Sequence, residues 1–251
     1  MNSGNNESLK NQIPDYVCAT SRAVLGAIPV VGSAIAELVT SVIPNQRIDR
    51  IAEFAEILAN NVSEDHEKLI RLQLENENFT DLLEESLMQV IRSTTNERRM
   101  YISSIVAKSI SSEKVNLIEL KQLLKILGEI NEIEVIWLRF HMADINYGGQ
   151  YTYNHDEDFR IRHIDILKYI NIQGLTEPHP EIDKWALQQS YKEHLMRLGL
   201  LNRKHEVSLL SQRSSFLGSS NDFEKSNYEI TPLGRLLLKH IGLSKDGFSP
   251  V

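Results

Sequence analysis

The stretch "IDKWALQQSYKEHLMRLGLLNRK", Ile182–Lys204, decides how the second half of this chain is read. Trp185, Leu187, Tyr191, Leu195 and Leu198 recur near helical spacing, and the pattern stops at Gly199, the residue type that most readily ends a helix in a left-handed conformation. "LLNRKHEVSLL" then reads as a strand, a polar connection follows, and "NYEITPLGRLLLKHIG" supplies a second strand and a closing helix. Leu198, Leu200 and Leu201 are placed to anchor the helix-to-strand turn. Thr231 is placed to cap the last helix, with Pro232 in its first turn.

A helix closing in "RLGLL", a two-stranded wing and "YEITPLGR" leading into a helix resemble a winged helix-turn-helix. Upstream the periodicity is helical throughout. Ile48, Ile51, Phe54, Ala55 and Leu58 form one stripe after Pro44, and Leu82 through Ile91 form another. Ile102, Ile105, Val106 and Ile110 follow a Thr94/Glu97 capping pair. Asn116 with Glu119, and Asn131 with Glu134, repeat that arrangement before "LIELKQLLKILG" and "IEVIWLRFHM". The expected fold class is mainly α: an N-terminal helical bundle followed by a winged-helix-like α+β C-terminal domain. The boundaries are a loose tail at 1–12, the bundle at 13–115 with an αα-hairpin at 14–43, the winged-helix-like domain at 116–243 and a loose tail at 244–251.

The hairpin contains "LGAIPVVGSAIAELVTSVIP", Leu25–Pro44, whose single charge is Glu37. From Pro29 onward Val30, Val31, Ala34, Ile35, Leu38, Val39 and Val42 share one half of a helical cylinder, and Gly32, Ser33, Ala36, Glu37, Thr40 and Ser41 the other. A membrane span needs about 20 apolar residues, and Glu37 would cost roughly 2.5–3.5 kcal/mol near its centre. The stretch is therefore read first as a core helix of a bundle and second as a membrane element after activation, with Val31, Gly32, Ile35, Ala36, Leu38 and Thr40 as candidate hairpin residues for membrane or oligomer contact. Gly32, Ala36 and Thr40, four apart, form a narrow strip for a close helix neighbour. Gly26 and Gly32 lack the Lys-Ser/Thr pair of a phosphate loop.

The 251 residues are 41% apolar and 24% charged, an ordinary globular balance. Cys18 is the only cysteine, so an intrachain disulfide is excluded, and a reducing compartment is expected. The N-terminus shows no secretory pattern, so the expected location is cytoplasmic or peripheral to a membrane. No reaction motif is present. The eight histidines include no zinc-hydrolase pair, and Glu84 with Glu85 reads as solvated helix surface. Cys18 reads as a buried thiol. The segment "HDEDFRIRH", with His155, Asp156, Glu157, Asp158 and His163, reads as a solvated acidic loop before it reads as a cation site. No catalytic residue, metal or cofactor is expected, and the chain is read as a non-enzyme.

A winged helix raises the question of DNA. Formal net charge is −7, from 27 basic and 34 acidic residues, which opposes a polyanion globally. Between Lys184 and Arg213, however, six basic residues face two acidic ones. Lys184, Gln188, Gln189, Lys192, Arg203, Lys204 and Arg213 are the candidate partner or DNA contacts. Gln188, Gln189 and Lys192 are expected on the exposed side of the helix, and Arg203, Lys204 and Arg213 at phosphates. A protein-docking module is ranked above DNA recognition. The expected partners are a protein, with a homo-oligomer, DNA and an activated membrane state as further candidates.

The stretches "ERRMYISSIVAKSI", "IELKQLLKILGEINEIEVIWL", "EHLMRLGLL" and "YEITPLGRLLL" together resemble the Abi-alpha family of abortive-infection-associated bacterial proteins. The resemblance runs from about Thr80 to Ile241, interrupted by the loop between Ala143 and Ile182. It implies a bacterial phage-defence protein, cytoplasmic or membrane-associated, with a helical front and a winged-helix-like back, and it implies no catalytic residues. The expected function is a non-enzymatic effector or sensor; the alternative is a winged-helix transcriptional regulator with a helical oligomerisation domain.

Overall fold

The computed structural model describes residues 48–62, 73, 75–110, 116–142, 157–203 and 228–243. Among them the protein is mainly helical, with a small two-stranded sheet. The described residues fall into two compact units: one runs to Gly128 and includes His240–Gly242, and the other runs from Glu129 to Lys239 with Leu243. The division thus follows Gly128, whereas the sequence pattern places it after Val115. The hairpin residues Val31, Gly32, Ile35, Ala36, Leu38 and Thr40, together with Cys18, lie outside the described residues.

In the first unit α1 (Ile48–Asn61), α2 (Glu77–Arg92) and α3 (Asn96–Ile110) pack mutually. Their apolar stripes meet as helical spacing dictates. Ile51, Phe54, Ala55 and Leu58 of α1 are buried with Phe79, Leu82, Leu83, Leu87 and Val90 of α2 and Ile102, Ile105, Val106 and Ile110 of α3. Side chains tie the helices at their polar margins. Arg50 donates to the Ile91 carbonyl (2.6 Å), Arg99 pairs with Glu53 (2.6 Å), and Asn61 donates to Ser103 Oγ (3.0 Å). The cap of α3 is Thr95, whose Oγ1 accepts from Arg98 N (3.3 Å), one residue beyond the expected Thr94. The fourth helix, α4 (Leu117–Glu129), is capped by Asn116 as its spacing predicts. Gln89 of α2 and Arg98 of α3 donate to its Leu124 and Leu127 carbonyls.

The second unit contains α5 (Glu132–Met142), α6 (Glu157–Arg162), α7 (Ile164–Leu167), α8 (Pro180–Arg197), β1 (Leu201–Arg203), β2 (Tyr228–Ile230) and α9 (Pro232–His240). β1 and β2 pair antiparallel, with Leu201 opposite Ile230 and Arg203 opposite Tyr228. α5 packs on α8 and β2. No helix among the described residues is long and apolar enough to cross a membrane.

Candidate functional site

The candidate interaction face is built on α8 and the sheet that follows it. His179 opens α8: its Nδ1 accepts from Glu181 N (3.2 Å), and Pro180 occupies the first turn, where its missing N–H costs nothing. The helix ends as the sequence predicts. Gly199, at φ +71°, lets its own N–H reach the Met196 carbonyl (2.9 Å) and the Leu200 N–H reach that of Leu195 (2.9 Å), a Schellman closure. Leu195 and Leu200 are both buried at that turn.

Thr231 joins the helix end to α9. Its Oγ1 accepts from Gly234 N (3.0 Å), capping α9, and donates to the Gly199 carbonyl (2.7 Å), while its backbone N–H donates to the Leu200 carbonyl (3.0 Å). α9 approaches so closely that a Cβ at Gly234 would strike the Leu200 carbonyl oxygen and lie 2.8 Å from Ile230 Cγ1. One threonine and one glycine therefore fix the helix end, both strands and the last helix as one piece.

The orientation of α8 about its axis differs from the expected one. Gln188, Lys192 and Leu195 form its buried stripe, while Leu187 is 55% exposed. Gln188 and Lys192 are thus not on the exposed side. The physical reason is that both polar ends are satisfied internally. Gln188 Nε2 donates to the carbonyls of Ile166 (2.9 Å) and Lys168 (3.2 Å), docking α8 on the α7 segment. Lys192, with 0% exposure, lays its alkyl stem in the core and sets Nζ 4.4 Å from the Trp137 ring centre and 5.8 Å from that of Tyr228. Trp137 also packs edge-on to Phe140 (5.7 Å) and stacks with His141 (6.2 Å).

A second polar tie crosses from α5 to α8. Glu134 and Asn131 form a reciprocal capping box: Asn131 N donates to Glu134 Oε2 (2.8 Å), and Glu134 N donates to Asn131 Oδ1 (2.9 Å). The other carboxylate oxygen meets His194 Nδ1 at 2.6 Å. Sequence spacing exposes the capping box. It is blind to His194, sixty residues away, and to the Trp137–Lys192–Tyr228 contact, because both arise only when α5, α8 and β2 pack.

Of the candidate contact residues, Lys184 and Arg203 are exposed and Gln189 is half-buried. Arg203 lies 3.8 Å from Glu193, an exposed pair of small energetic value. Lys204 and Arg213 lie outside the described residues. So do His155, Asp156 and the side chain of Glu157; among the described residues no group of three or more His, Cys, Asp or Glu side chains is arranged to hold a metal ion. Comparison with protein-family models, curated proteins and solved structures finds no match to the chain.

Proposed function

We propose that the chain is a non-enzymatic effector or sensor of bacterial phage defence, of the Abi-alpha kind, working in the cytoplasm or at a membrane surface. Its winged-helix-like C-terminal module recognises a protein partner, and its N-terminal helices respond to that engagement. The observation that supports this reading is the unit α8–β1–β2–α9, in which the Gly199 helix end and the Thr231 cap bracket an antiparallel strand pair, as a helix followed by a wing would require. The inward orientation of α8 favours a protein over DNA. Base edges are read by polar side chains on an exposed helix face, and Gln188 and Lys192 are buried instead. A net charge of −7 weighs in the same direction.

The test is phage challenge of bacteria expressing the chain, with duplex-DNA binding measured alongside at low salt. The expected outcome is a reduced efficiency of plating, lost on Arg203→Glu with circular dichroism unchanged, and no duplex binding. Equal plating with and without the chain across a broad phage panel overturns the defence reading. Salt-sensitive duplex binding lost on Arg203→Glu would instead identify the transcriptional regulator.

A further inference from the structure

The outward face of α8 carries its own pattern. Gln188, Lys192 and Leu195 are buried on one side of the helix. At about 100° per residue the opposite side holds Asp183, Ala186, Ser190, Glu193 and Arg197, with Leu187 at its edge. All six are exposed, Leu187 at 55%. The stripe runs for about 21 Å at a rise of about 1.5 Å per residue. Glu193 lies beside Arg203 of β1, whereas neither the Asp183 carboxylate nor the Arg197 guanidinium has a partner among the described residues.

The order of these residues is symmetric about Ser190. Asp183 precedes it by seven residues and Arg197 follows it by seven, so all three fall nearly on one line along the helix. An antiparallel copy crossing at Ser190 sets Asp183 against Arg197 of the partner subunit, and Arg197 against the partner subunit's Asp183. A parallel copy would oppose like charges at both places. On the twofold axis each side chain meets its own counterpart, and Ser190 is small and uncharged, so two helices approach there without repulsion. The same face carries Asp183 and Glu193, which repel phosphates, so a nucleic acid fits it poorly.

We propose that this face of α8 docks a second copy of the chain, as a twofold antiparallel pair of α8 helices closed by two Asp183–Arg197 ion pairs, with Ser190 at the crossing and Leu187 covered at its rim. Charge complementarity selects this occupant, because the stripe matches its own reverse. Exposed ion pairs contribute little singly and are screened by salt, and one helix face is small for an interface. The dimer is therefore weak and dissociates as ionic strength rises. It goes beyond the defence reading and stands whether or not that reading does.

The test is sedimentation equilibrium of the full chain at concentrations up to about 0.5 mM, so that weak association is detected. The expected mass is that of a dimer at low salt, falling towards monomer at about 1 M salt, where the screening length is about 3 Å. Asp183→Arg and Arg197→Asp each turn two attractions into two repulsions and raise the Kd by about tenfold or more. An equimolar mixture of these two variants regains the dimer, because both crossing pairs are again of opposite sign. Ser190→Arg, which touches neither helix end, abolishes association at unchanged circular dichroism, and Lys125→Glu, an exposed reversal in the first unit, leaves it intact. A wild type that stays monomeric at low salt overturns the proposal. So does a dimer that survives Ser190→Arg, which places self-association on another surface. A mixture of the two charge variants that remains monomeric overturns the antiparallel pairing.

Discussion

The two units bury different chemistry. The α1–α2–α3 core has Phe54, Leu58, Phe79, Leu82, Ile102 and Ile105 at its centre, and the polar groups buried with them are the small hydroxyls of Ser86, Ser93, Ser103 and Ser109 and one arginine, Arg99. The α5–α8 core sets Glu134, His141, Gln188 and Lys192 among Trp137, Phe140 and Tyr228. The first is held mainly by area removed from water, which is non-directional, with its directional ties at the margins, Arg50 to Ile91, Arg99 to Glu53 and Asn61 to Ser103. The second is held by contacts that work at one geometry only, so it specifies how α5, α8 and β2 meet as well as that they meet.

The largest expected effect tests whether the cores are separate. Phe54→Ala, at a site with 0% exposure, should destabilise the first unit by about 3–5 kcal/mol through lost burial and a residual cavity. Both tryptophans, Trp137 and Trp185, belong to the second unit, so intrinsic fluorescence follows that unit while far-ultraviolet circular dichroism follows all helices. The expected result is a helical transition shifted to lower denaturant with the fluorescence transition little moved. Equal shifts in both signals would mean that the cores melt together and that contrasting them has no thermodynamic content.

A smaller effect sharpens the contrast. Glu134→Ala removes the partner of His194 and one arm of the Asn131 capping box, and is expected to cost the second unit about 1.5–3 kcal/mol. The informative quantity is the coupling in a double-mutant cycle with His194→Ala, read by fluorescence. A coupling near zero would make the 2.6 Å contact a bystander and leave this core as non-directional as the first.

The same contrast explains what the sequence discloses. The stripes of α1, α2 and α3 are legible because apolar residues at helical spacing have one economical fate, and caps such as Asn116, Asn131 with Glu134, and Thr231 with Pro232 are legible because they are local. The helix end at Gly199 belongs with them. The orientation of α8 is not legible, since of its apolar pattern Trp185, Leu187, Tyr191, Leu195 and Leu198 the chain leaves Leu187 55% exposed and buries Gln188 and Lys192 beside Leu195. Ranking Lys as an outward residue fails when two aromatic rings from distant segments receive its ammonium. The Thr95 cap lies within the one-residue freedom that two adjacent threonines leave. The stacking of Arg139 on Phe159 escapes for the same reason as Lys192, because the two become neighbours only through packing.

The smallest effect concerns the rim of the polar core and carries a definite sign. His163 titrates below 6.5 in the folded protein because burial, Arg162 and Arg139 all oppose its imidazolium, whereas the unfolded chain binds the proton near 6.5. Above that pH neither state is protonated there and the residue leaves stability flat. As pH falls through 6.5 the unfolded chain takes up the proton first, so stability declines, and it stops declining on this account once the folded imidazole titrates too. One proton contributes at most about 1.4 kcal/mol per pH unit to that slope. Replacing His163 with Gln should therefore flatten the wild-type decline just below pH 6.5 while leaving stability at pH 8 nearly unchanged, as measured by urea unfolding at a series of pH values. The other histidines are common to both proteins and cancel in the difference. A variant whose decline matches the wild type would show that neither burial nor the Arg162 and Arg139 charges oppose the imidazolium of this ring, and the polar core would then end at Trp137 and Lys192 instead of extending to the α5–α6 face.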